Sequence, residues 1–397
     1  MQIASKSITF FKFFLILWIV FIPLKTVFYQ IAWVGLTVSF LGYCFSVRTC
    51  RREFKETLTK FKDIIFLFGA ILLALVIASL LNPAHQVVHW RWLFSYIFQY
   101  FVIFFILLHM YRKNVFTLTF IIKTILAVLF IYALDGLWQL AFGYDLLRHK
   151  IGSVAIGLPG PTHNRNVYGM LMAITAFVSF ALAIEKFKTL RQKERIFLWA
   201  LFLIALVDLL LSYSRASWLF FVTASGIFMF FSMKRGLLNS KLLYGSFLLV
   251  IGVAIILYLV DPHLQHRFMQ LLHGESSHRL QMWPLAIEEI KKNWLFGHGL
   301  VHSLYFLHVV ENTRYIQNSL LEILFTVGVF GFIFYTWLLI VVFKQILKNR
   351  DILQLGFFFG FLVISLFDHS MIKGSIQLSI LTIFAFFVFK ERLARAQ

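Results

Sequence analysis

Arg215 lies in Ser212-Tyr213-Ser214-Arg215-Ala216-Ser217-Trp218, a short polar junction between two apolar runs. An arginine at the end of an apolar run can snorkel to head groups, but flanking serines at a helix start favour an anion site, where first-turn N–H groups carry partial positive charge. A second polar entry, Gly157 to Asn166, collects His163, Asn164, Arg165 and Asn166 just ahead of another apolar run. It would suit a phosphate, although a turn that only caps a helix needs the same residue types. A third cluster runs from Ser276 to Trp283 and includes Arg279; beyond it come His298, His302, His308, Arg314, Gln317 and Asn318. Imidazoles titrate near neutral pH and guanidinium forks grip phosphate oxygens, so these residues together suit proton transfer beside an anionic ligand.

The elements that must position them are apolar. Of 397 residues, 60% are hydrophobic and 14% charged, with a mean hydropathy of +0.84. That excludes an ordinary soluble domain. Twelve apolar runs are each read as a membrane-spanning helix. They cover about 8–24, 31–47, 64–81, 93–110, 115–140, 167–184, 196–211, 218–233, 242–260, 319–343, 352–367 and 376–389. The expected fold is therefore all-α, one integral membrane domain over 1–397 with about twelve transmembrane helices and no internal repeat. Its single large interruption is the loop 261–317, in which Trp283, Ile287, Ile290 and Trp294 fall at helical spacing. An amphipathic helix on the membrane surface is expected there, with packing against other loop residues as the competing reading.

The net charge of +20 is divided among short loops instead of gathered on one soluble face, which argues against a nucleic-acid partner. Lys and Arg concentrate in alternate loops, including Arg48 to Lys62, Lys186 to Arg195, Lys344 to Arg350 and Lys390 to Arg395. By the positive-inside rule both termini are cytoplasmic in a bacterial inner membrane and the loop 261–317 is periplasmic. All histidines but His109 then fall outside. Cys44 and Cys50 are expected to form neither a disulfide framework nor a zinc site, and no acidic or His-x-x-x-His cluster suggests a metal or other cofactor. Asp135, Asp208 and Glu322, at or within spans, read as helix-pairing groups.

Several separated stretches resemble the O-antigen ligase and polymerase family (WaaL and Wzy type). They are Ser214-Arg215-x-x-Trp218, the Asn-rich entry His163 to Asn166, Ser276-x-x-Arg279-x-x-x-Trp283, and the turn Gly297-His298-Gly299. The last is Gln317-Asn318, nine residues, then Gly328-Val329-Phe330-Gly331. One position departs: the family's histidine, its proposed base, corresponds to Gln317. The resemblance implies a metal-independent, inverting glycosyltransferase that moves a glycan from undecaprenyl diphosphate to lipid A-core among membrane lipids. Arg215 and Arg279 are expected to meet the diphosphate, supported by Arg314 and Arg165. With an amide at 317, His302 is the first candidate base, followed by His298 and His308, while Gln317 orients the acceptor. A repeat-unit polymerase uses the same donor and is the alternative. A flippase or secondary transporter is the alternative of another class, opposed by the lack of Gly/Pro-broken helices in two matching halves.

Overall fold

The computed structural model describes residues 2–24, 27–82, 86–151, 157–186, 189–236, 240–273, 279–300, 316–368 and 375–394. Among them the chain is helical throughout, with no strand, and each of the twelve apolar runs lies in a helix. By length and composition eight helices can cross a membrane, or nine if α11 (Ser240–Val260) and α12 (Pro262–Leu272), bent by 113° at Asp261, form one span. The chain groups into two compact units. One holds 1–121, 276–349 and 365–397; the other holds 122–275 and 350–364.

In the first unit, α1 (Gln2–Phe21) pairs with α2 (Val27–Ser46), and α3 (Cys50–Thr59) leads into α4 (Lys62–Leu81). The turn between α2 and α3 brings Cys44 and Cys50 to a Cα separation of 4.9 Å, and they are disulfide-bonded, contrary to the sequence expectation. Cys50 Sγ also lies 3.7 Å from His109 Nε2. The fourth apolar run folds as α5 (Gln86–Ser95), a π-helical turn (Tyr96–Val102) and α6 (Ile103–Arg112). Ala74 and Leu75 of α4, Tyr96 and Tyr100 of the π-helical turn, and Ile323 and Val327 make one buried cluster.

In the second unit, α7 (Leu118–Phe142) precedes α8 (Arg165–Glu185), the most buried span, which packs on α9 (Gln192–Leu211) and α10 (Arg215–Lys234). Tyr168 of α8 donates a 2.7 Å hydrogen bond to Asp208 of α9, so this acid joins two helices as its place in an apolar run suggested. Asp135 instead accepts the Leu146 and Leu147 N–H groups and ties the segment after α7 back to that helix. Gly356 and Gly360, four residues apart, let the helix Ile352–Ser365 lie against Ala224 and Phe220 of α10. Small residues at this spacing allow the close helix contact that holds helices together in lipid. Large apolar side chains such as Val27, Phe45, Val222 and Leu259 point outward. On a soluble protein that would be a liability, whereas in hydrocarbon it is the solvated surface.

Candidate functional site

The sequence-predicted residues divide between the two units. His163, Asn164, Arg165, Asn166 and Arg215 belong to the second; Arg279, His298, Gln317 and Asn318 belong to the first. His302, His308 and Arg314 lie outside the described residues.

In the second unit two helix starts are held side by side by missing side chains. Gly169, one turn into α8, faces the Ser212–Ser217 turn so closely that a Cβ there would stand 2.5 Å from Ser212 Oγ and 2.8 Å from Ser214 Cβ. Gly157, at φ +113°, abuts the Ser212 carbonyl, and the next N–H, that of Leu158, donates to Leu211 O at 2.8 Å. Arg165 starts α8, four residues before Gly169, and Arg215 starts α10, so this packing brings both arginines to the same end of the unit. Asn164 is the N-cap of α8, its Oδ1 accepting from the Asn166 and Val167 N–H groups at 2.9 and 3.3 Å. Ser214 holds the N-cap position of α10, but its hydroxyl bonds Ser217 Oγ at 2.8 Å and makes no cap to the backbone.

A third cation joins them through the bend at Asp261. Asp261 caps α12 by accepting the His263 N–H at 2.9 Å, and its other oxygen takes the Tyr213 hydroxyl at 2.6 Å. Burial and that hydrogen bond push the Tyr213 phenol up, so it remains a donor. The clasp ties α12 to the α9–α10 junction, and α12 carries Arg267. The half-buried Arg165 lies near enough to Arg267 and Arg215 for their charges to act on it. Arg267 belongs to none of the motifs read in the sequence; a tyrosine at a polar junction and an Asp-Pro helix start some 50 residues on give no sign of their contact. His163 approaches Asp145 at 3.8 Å, too far for a hydrogen bond. Burial holds its imidazole below the ordinary value; Asp145 opposes this, and Arg148 and Lys150 reinforce it. Three clustered cations at two helix N-termini can bind a multiply charged anion with bidentate geometry.

In the first unit the motif glycines form one backbone joint. The helix α14, Ser319–Asn349, breaks at Gly328 (φ 61°, ψ −171°). Into the break fits the turn 294–299: His298 N donates to Phe325 O at 2.7 Å and Gly299 N to Thr326 O at 2.9 Å. In return Val329 N donates to Trp294 O at 2.9 Å. Gly297 and Gly328 meet backbone to backbone, since a Cβ on Gly297 would sit 2.5 Å from the Gly328 nitrogen. The Gly-x-Gly turn and the Gly-x-x-Gly motif, about thirty residues apart, are thus two halves of one contact.

His298 is buried in this joint. Its Nε2 donates to the Glu289 carbonyl at 2.9 Å, Nδ1 faces the Asn293 amide at 3.3 Å, and the ring lies on Phe325. A ring so placed has both nitrogens engaged within the joint. Asn318 is the N-cap of α14, its Oδ1 accepting from Leu320 and Leu321 and its amide donating to Leu366 O at 3.2 Å. Glu322 accepts the Ile316 N–H at 3.2 Å. Between these two anchors Gln317 is held in the left-handed region (φ 53°) and is half-buried.

Arg279 starts α13 (Arg279–Lys292) and is half-buried. The amphipathic face of α13 is divided. Trp283 and Ile290 pack with Ala286 on Ile316, Leu321 and Phe325, while Ile287 and Trp294 are exposed. The expected surface helix is therefore anchored to the start of α14 along half of its apolar side. Among the described residues no three His, Cys, Asp or Glu side chains converge.

Residues 200–336 match the family model described as O-antigen ligase, about a third of the chain. The match takes in Arg215, Arg267, Arg279, the 294–299 turn, Gln317 and the Gly328 break, and begins after Arg165. No curated protein matches the chain.

Proposed function

We propose that this multi-pass membrane protein is an O-antigen ligase-like glycosyltransferase that moves a glycan from undecaprenyl diphosphate to lipid A-core. The observation that carries this reading is the cluster Arg165, Arg215 and Arg267. Guanidinium groups gathered at one end of the unit suit a multiply charged anion, and a diphosphate leaving group is one. The acceptor hydroxyl attacks the anomeric carbon, the bond from that carbon to the diphosphate oxygen breaks, and the configuration inverts. Negative charge grows on the departing diphosphate, where guanidinium forks act best. With this charge supplied by arginine, transfer is expected to survive chelation of divalent ions.

The hydroxyl proton needs an acceptor, and the Gln317 amide is too weakly basic. With both His298 nitrogens engaged, His302 is the proposed base and His308 its reserve; Gln317 orients the acceptor, and Arg279 and Arg314 add charge. The Lys and Arg distribution supports cytoplasmic termini and a periplasmic 261–317 segment. A repeat-unit polymerase would use the same donor. The test is analysis of lipopolysaccharide and lipid-linked glycan from a deletion strain. Loss of a ligase leaves long polymer on the lipid carrier; single repeats there would assign a polymerase, and no change in either pool would refute both.

A further inference from the structure

The first unit has a second charged feature, at the far end of α4 and α14 from the glycine joint. Asn82, just after α4, donates to the Gly297 carbonyl at 3.3 Å, whereas Asp63 lies in the first turn of α4, about 30 Å away at 1.5 Å per residue. Beside Asp63 is a cavity of about 540 Å³ lined by Lys60, Asp63, Lys344, Gln345, Lys348 and Arg392. Asp63 is the one acid among these lining residues. Arg392 already engages it, donating to both carboxylate oxygens at 3.0 and 2.9 Å, and donates through Nε to Gln345 at 2.9 Å. The Arg392 guanidinium also rests 4.7 Å from the Phe389 ring centroid. Arg392 is therefore a fixed cation, held from two sides, in a cavity whose other cations are three lysines.

Loss of hydration, and then the charge of Arg112, holds the Lys60 ammonium below its ordinary value, despite Glu56. A counter-anion in the cavity would relieve both effects.

We propose that this cavity binds the phosphate of an anionic lipid head group. A free phosphate presents the same charge and oxygens, but the surroundings favour a lipid. Ile333, Trp337, Ile340 and Leu347 are all exposed on α14 at alternating spacings of four, three and seven, and this apolar stripe runs into exposed Lys344 and Lys348. Phe66, one turn into α4 from Asp63, is exposed and packs against Phe334 of α14. A head group in the cavity therefore has an apolar path beside it for its acyl chains. A basic pocket beside membrane helices recognises acidic head groups by this combination, and lysine, a flexible point charge, suits a phosphate approached from several directions. The inference does not rest on the transferase reading. Under the proposed topology the lipid belongs to the cytoplasmic leaflet.

The test is native mass spectrometry of the full-length protein in detergent, titrated with phosphatidylglycerol or with phosphatidylcholine of the same acyl chains. Phosphatidylglycerol should bind with the higher affinity. The triple variant K60Q/K344Q/K348Q should lose about a hundredfold of it, at roughly fivefold per lysine. The single variant K344Q changes an exposed side chain, so it reports even if the triple variant folds poorly, and it should lose about fivefold. The control R48Q/R51Q/K55Q, which removes three exposed cations elsewhere in the unit, should leave binding unchanged. Equal binding of phosphatidylcholine, or an equal loss in the control, would overturn the site. Full displacement of phosphatidylglycerol by excess inorganic phosphate would overturn the lipid assignment in favour of a soluble phosphate.

Discussion

In the second unit Arg215 and Arg267 lie within electrostatic reach of Arg165, whereas in the first a histidine, an asparagine and a glutamate are each fixed by backbone hydrogen bonds. Both arrangements are built from motif residues at helix ends, yet they differ in what they lack. The histidine joint is complete without any ligand: His298 and Asn318 have their polar atoms engaged and the glycines close the gap between backbones. The arginine cluster gathers cations of a kind that an anionic ligand would complement. We therefore propose ligand chemistry for Arg165, Arg215 and Arg267, and assembly of the scaffold for His298, Asn318, Gly297 and Gly328.

That assignment breaks most directly at Arg215. Replacing it by lysine keeps the charge and removes the fork, so transfer should fall by about 2 to 4 kcal/mol in barrier with unfolding unchanged. The same is expected of Arg279→Lys if Arg279 also meets the diphosphate. Arg165→Gln removes one cation of the cluster, so transfer should fall. In vitro transfer beside thermal unfolding reads both effects; near-normal transfer in every arginine variant would reduce the cluster to head-group anchors.

The glycine joint should respond in the opposite sense. Gly328→Ala puts a Cβ against Leu295 in a left-handed backbone, which costs about 1 to 3 kcal/mol from conformation alone and more from the clash. The expected outcome is low yield of folded protein, seen by size-exclusion chromatography. His298→Ala leaves the buried Glu289 carbonyl without its donor and should destabilise by about 1 to 3 kcal/mol. Whatever protein remains folded should keep its turnover per molecule. Loss of turnover at full stability would return His298 to the list of bases.

Particular residues show how far the sequence could be read. Apolar runs locate helices because length and hydropathy are local properties, and each run recurs as a helix. The eight that are long and apolar enough to cross a membrane leave the count below twelve on that measure, since α9 carries Glu194, Arg195 and Asp208 and the helices from Ile352 and Ser375 are short. The motif arginines at helix starts were legible from their flanking serines and asparagines. The placement of Arg267 was not, because it reaches the cluster through a bend and a Tyr213–Asp261 bond between residues distant in sequence. The engagement of His298 was also hidden: a histidine between two glycines looks accessible until the turn docks into the broken helix.

Gln317 tests the comparison where its two halves meet in one residue. Its neighbours belong to the satisfied class, Asn318 capping α14 and Ile316 bonded to Glu322, yet its own backbone lies in a region that non-glycine residues occupy at a cost. If the side chain only fills space, Gln317→Gly should relieve that cost, leave stability within about 1 kcal/mol and leave transfer intact. If it orients the acceptor hydroxyl, the same variant should be equally stable but transfer about tenfold more slowly, the size of one lost hydrogen bond to substrate. Gln317→His supplies the complementary arm, since histidine tolerates the left-handed region better than most residues. A second base beside the acceptor should raise transfer on the alkaline side of the imidazole range, near pH 6.5, where the ring is neutral. Stability and transfer unchanged in both variants would place Gln317 with the scaffold and leave the proposed chemistry with the arginine cluster.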